Sequence, residues 1–157
     1  MNQALISSCI FAASMLVLCS WKPQVGRIVL GVFFLVMAGI NLSTTLSGAY
    51  LYVDYGSSAL LGPYRWFFRE IVAQLPSFWG GMLVASEALV GLLLLGRDAD
   101  VRLGILAAIL FLLVITPLST ETFANMGLAL AAALLLRAPH YHRLLGVLQK
   151  WFSPLRA

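Results

Sequence analysis

Glu87 stands near the middle of an apolar run that spans residues 78–96. An ionisable group at membrane depth is expensive, and it is kept where it faces a protein interior or a wet cavity and has a task there. A carboxyl group so placed can hold a proton or anchor the polar end of a ligand. Asn41 lies in an earlier apolar run and Thr116 toward the end of a later one. An amide offers donors and an acceptor, and a hydroxyl offers one donor and two lone pairs. At 1.5 Å per residue, Asn41 falls about 9 Å and Glu87 about 14 Å below the same end of their helices. The two can meet if those helices are neighbours. Desolvation favours a neutral carboxyl, which is expected to donate a hydrogen bond to Asn41. Arg65 and Arg69, in the connection between the two runs, are the cations that could fold in toward Glu87. These five residues are the candidate ligand-binding set. No nucleophile–base pair, metal cluster or phosphate loop is placed within the runs, so no catalytic residue, metal ligand or resident cofactor is expected.

The elements that must position this set are membrane helices. Of the 157 residues, 61% are hydrophobic and 10% charged, and the mean hydropathy is +0.94. Soluble domains carry about 25% charged residues. The expected fold class is therefore all-α, a polytopic helical bundle in one domain. The net charge of +4 is spread between apolar runs rather than gathered in one stripe, which argues against nucleic acid as a partner. Cys9 and Cys19 would lie about 15 Å apart on one helix, too far to bridge.

Five apolar runs stand out, at residues 4–21, 28–47, 78–96, 103–119 and 123–136. A span needs about 20 residues, with a range of about 17–25. The first run has no basic residue before it and no convincing cleavage site after it, so it reads as a retained helix rather than a signal peptide. Five spans sort the basic residues into two sets. Lys22, Arg27, Arg97, Arg102, Arg137, Arg143, Lys150 and Arg156 share one side, and Arg65 and Arg69 the other. The positive-inside rule puts the larger set in the cytoplasm, with the N-terminus outside. A bacterial cytoplasmic membrane is the expected location.

The long outer connection, residues 48–77, is rich in aromatics. Pro63 suits a first helical turn. Tyr64, Phe67, Phe68, Ile71, Val72 and Leu75 then share one helical face, which predicts a short helix lying in the outer interface. Polar residues gather in the outer half of the spans, which suggests a pocket opening outward beneath that helix. Ser and Thr there could also bond neighbouring helices together. Small residues on both helices, Gly31, Ala38 and Gly39 on one and Gly80, Gly81, Ala85 and Ala88 on the other, allow close contact. The basic tail, with His140 and His142, reads as a segment for the anionic inner leaflet.

The run from Arg27 through Gly39 to Asn41 resembles the first span of the DoxX-like membrane proteins. The run from Glu87 to Gly96, followed by Arg102-Leu103-Gly104, is similar to their second span and the turn into the third. The resemblance covers residues 27–138. It implies a four-helix core there, with residues 1–26 as an extra N-terminal helix and basic linker and 139–157 as a cytoplasmic tail. Some members of that family are associated with quinone-linked sulfur oxidation and others with redox-stress complexes. The family often carries Lys or His at the position of Asn41. The function implied is an accessory or ligand-binding subunit linked to a membrane redox process, with a quinone as ligand and a membrane or extracytoplasmic redox protein as partner. The chain's own residues leave open a small proton-coupled transporter, a purely structural subunit and a homo-oligomer.

Overall fold

A computed structural model describes residues 3–138; the basic tail, with both histidines, lies outside the described residues. Seven α-helices follow one another: α1 (Gln3–Trp21), α2 (Pro23–Gly48), α3 (Leu51–Ser57), α4 (Gly62–Glu70), α5 (Pro76–Leu95), α6 (Asp98–Ile115) and α7 (Ala124–Leu135). Short 3-10 turns at Val72–Gln74, Thr116–Leu118 and Glu121–Phe123 join them, and no strand occurs among the described residues. Each of the five apolar runs is a helix. Three helical stretches, Pro23–Gly48, Pro76–Leu95 and Asp98–Leu118, are long and apolar enough to cross a membrane. Leu5–Trp21 and Ala124–Leu135 are shorter apolar helices.

Helix starts follow proline rather than hydropathy. α2 and α5 begin at Pro23 and Pro76, several residues or one turn-half ahead of their apolar runs, because proline at the first turn forfeits no intrahelical hydrogen bond. The early start of α2 carries Arg27 one turn inside the helix. There it is fully buried, as are Leu30 and Phe34 farther along the same face.

α2 packs most extensively on α5, α1 on α7, and α6 on both α5 and α7, while α1 also touches α2. The long helices therefore close into a ring around one core. α1 is not set apart from that core: its Ala12, Met15 and Cys19 are buried there with Leu112 of α6 and Leu128 of α7. The outer faces are apolar too, with Ile10, Val36, Leu89, Leu110 and Leu130 all exposed. An apolar exterior on an apolar core is the arrangement a bilayer requires and water penalises.

The backbones of α2 and α5 come close at Gly31 and Gly91. A Cβ placed on Gly91 would lie 3.0 Å from the Gly31 carbonyl oxygen, and one on Gly31 would lie 3.2 Å from the Gly91 carbonyl oxygen. Backbone contact of this kind is what small residues permit between membrane helices. Gly39 and Gly81 meet nothing within 4 Å and play no such part here.

The long connection between α2 and α5 holds two helices, not one. α3 was not foreseen, and α4 ends at Glu70, before the apolar face expected to run through to Leu75 is complete. Ile71 turns the chain and Leu75 is 63% exposed, leaving that face to end at Val72, which is buried. Pro76, at the start of α5, pushes Leu75 out of helical conformation and ends the 3-10 turn at Val72–Gln74.

Candidate functional site

Asn41 and Glu87 meet across the α2–α5 interface. The Asn41 amide nitrogen donates to both carboxyl oxygens of Glu87, at 3.0 and 2.9 Å. Side chains on a helix lean toward its N-terminus. In antiparallel neighbours those leans are opposed, so Asn41 and Glu87 reach toward each other from different levels. The donor is the amide, not the carboxyl expected from the sequence. Glu87 is 4% exposed and Asn41 half-buried.

A second layer holds Asn41 in place. Tyr52, from α3, donates its hydroxyl to the Asn41 carbonyl oxygen at 2.8 Å, and Thr45 donates to the same oxygen at 2.7 Å. The two hydroxyls lie 3.0 Å apart. Gly80 makes room for this layer: a Cβ there would stand 2.6 Å from Thr45 Oγ1 and 2.7 Å from the Tyr52 ring. Tyr52 thus inserts between α2 and α5 on the α3 side of the pair. Sequence reasoning counted Tyr52 only as one of several loop aromatics. Its signal was its place on α3, a helix that the mixed polar and aromatic sequence concealed.

No family model matches the chain, and neither does any curated protein or solved structure.

The other candidates fall elsewhere. Thr116 is buried, but its hydroxyl donates to the Leu112 carbonyl of its own helix at 2.7 Å. Thr122 donates to the Thr116 carbonyl at 2.7 Å, so this end of α6 is a tied helix terminus. Tyr64 adds to the tie by donating to the Val114 carbonyl at 2.8 Å, which fixes α4 over α6. Arg65 and Arg69 are exposed on α4. Neither makes an ion pair with Glu87 among the described residues. Most of the remaining hydroxyls, Ser14, Thr44, Ser47 and Ser86 among them, donate to a carbonyl four residues back on their own helix. They satisfy themselves and do not bond helices together, contrary to the alternative raised by the sequence.

What remains is compact. One acidic group and one amide sit side by side between two helices, with a phenol and a threonine hydroxyl behind the amide. Among the described residues, no group of three or more metal-ligating side chains could hold an ion. The carboxyl can accept a hydrogen bond from a ligand hydroxyl, and the amide can donate one to a ligand carbonyl. Replacing Tyr52 by Phe is expected to remove one hydrogen bond and to cost about 1 kcal/mol. Thermal unfolding in mild detergent measures this. A variant as stable as wild type would mean that Thr45 alone holds the Asn41 carbonyl.

Proposed function

We propose that this chain is a DoxX-like integral membrane protein that acts as an accessory or ligand-binding subunit of a quinone-associated redox process. On this reading α2, α5, α6 and α7 correspond to the four DoxX-like helices, and α1 is a fifth helix packed into the same core. The observation that carries the reading is the Asn41–Glu87 pair, its carboxyl buried: a donor and an acceptor in contact at membrane depth, where a polar ligand end needs both. A quinone headgroup has the matching chemistry. Its carbonyl would accept from the Asn41 amide, and in the reduced form its hydroxyl would donate to Glu87. When bound, the quinone would supply the electron-carrying chemistry; the protein's residues orient it and exclude water. The ligand would have to enter between α2 and α5 by displacing Tyr52, whose ring stands on that path. The N-terminus would lie outside and the larger basic set in the cytoplasm, a reading that the positive-inside rule supports.

A structural role is the second reading, favoured by the way the pair bridges α2 and α5. Transport has less support, because the buried face of α5 inward of Glu87 carries only Val90, Gly91 and Leu94, with no polar step.

Native mass spectrometry of protein extracted gently from its own membrane tests the first reading against the second. Wild type is expected to retain a quinone-class molecule, and Glu87→Gln to lose it by about tenfold, the effect of removing one charge-assisted hydrogen bond. Gln retains the size of the side chain and can still pair with Asn41, so the fold should persist. Identical spectra from both proteins, with nothing bound, would leave the pair as a structural bridge.

A further inference from the structure

The opposite end of the bundle holds a second feature, independent of the Asn41–Glu87 pair. Where α1 ends, α2 begins and α7 ends, a cleft of about 320 Å³ is lined by Cys19, Ser20, Pro23, Leu134, Arg137 and Ala138. Its floor is apolar and its one charged wall is Arg137. Lys22 stands on the connecting turn between α1 and α2 and is exposed. Asp98 and Asp100 belong to the first turn of α6 and do not line the cleft.

Three observations assign a ligand class. Trp21, at the same end of α1, is 84% exposed, and indole at the end of a membrane helix marks headgroup depth. Arg137 lines the cleft and the exposed Lys22 precedes Pro23 of its lining, so two cations stand at this end. The Ser20 hydroxyl donates to its own helix, to the Val17 carbonyl at 2.8 Å, which leaves its lone pairs facing out as acceptors. A cation beside an apolar floor at headgroup depth suits a phosphate diester with acyl chains, and an acceptor oxygen beside it suits a hydroxylated headgroup. Basic pockets between membrane helices recognise anionic lipids in this way.

We propose that this cleft is a binding site for an anionic phospholipid, with the phosphate held by Arg137 and the field of Lys22, and the headgroup hydroxyls directed at Ser20.

The test is a titration of the delipidated full-length protein with phosphatidylglycerol and, separately, phosphatidylcholine of the same acyl chains, read by native mass spectrometry. Wild type is expected to prefer phosphatidylglycerol. Arg137→Gln should reduce that preference about fivefold, the effect of one interfacial cation. Arg137→Lys, which keeps the charge, should restore most of it. Arg137 is exposed, so neither change threatens the fold. An unchanged preference in Arg137→Gln would overturn the site, and so would equal binding of the two lipids by wild type. Inorganic phosphate should leave the lipid-bound species intact; displacement by it would make this a site for free anions and overturn the lipid assignment. Retention of quinone by wild type is read separately, so failure here does not bear on Glu87.

Discussion

Arg27→Met should lower the unfolding free energy by about 3 kcal/mol or more, because hydrogen bonds from a charged group contribute about 1.5–3 kcal/mol each. The Arg27 guanidinium is fully buried at the start of α2. It donates to the carbonyl oxygens of Leu94 at 2.8 Å and Gly96 at 3.1 Å, and to the Gln24 side chain at 3.1 Å. Leu94 and Gly96 are at the C-terminal end of α5, where carbonyls have no partner within the helix and the dipole is negative. Arginine suits this place because its planar, weakly hydrated group spreads several donors in a fork. Methionine fills similar volume and leaves the carbonyls bare. Arg27→Lys keeps the charge but offers a compact point donor on a shorter reach, so it should fall between the two. Circular dichroism during thermal unfolding in mild detergent gives the order. Equal stability of all three proteins would show that water caps α5 as well as Arg27 does.

The same residue shows where sequence reading stopped. Arg27 counts correctly among the basic residues at one end of the bundle, with Lys22, Arg97, Arg102 and Arg137, against Arg65 and Arg69 at the other. Its charge, though, is used within the protein and not at the lipid headgroups. The clue was Pro23. A helix begun there places Arg27 one turn inside it, with Gln24 three residues before as a same-face partner. Hydropathy could not give this, since it locates the apolar centre of a helix and says little about its first turn. Asn41 and Glu87 were legible for the opposite reason: a polar group in the middle of an apolar run has few ways to be satisfied, and similar depth let them meet once α2 and α5 proved to be neighbours. Thr116 looked equivalent by composition, yet a hydroxyl can donate to a carbonyl of its own helix, whereas an accepting carboxyl finds no free backbone N–H in a helix interior. Tyr52 was missed because its contact depends on two non-local facts, the turn that makes α3 and the gap left by Gly80.

Gly91→Leu should be the most damaging single substitution at the α2–α5 interface, and it touches no polar residue. A Cβ at Gly91 would already lie 2.8 Å from the Leu35 side chain and 3.0 Å from the Gly31 carbonyl oxygen. Leu35 can rotate away, but the Gly31 carbonyl is backbone and cannot. The helices must therefore separate, and overpacking of this kind typically costs about 1–3 kcal/mol by itself. Two polar bridges cross the same interface on either side of Gly91: Arg27 to the end of α5, and Asn41 to Glu87. Hydrogen bonds weaken steeply as their geometry departs from the optimum, so separation loosens both bridges together. The expected result is a loss of at least about 3 kcal/mol on combining the overpacking cost with weakened charge-assisted bonds. Gly91→Ala should show the same effect at smaller size. The decisive readout is coupling. On the Gly91→Leu background, Arg27→Met should cost well under half of what it costs in wild type, because the bond it removes is already impaired. Full additivity of the two substitutions would mean that α2 and α5 shift without parting, and that the glycine contact does not hold the Asn41–Glu87 pair in register.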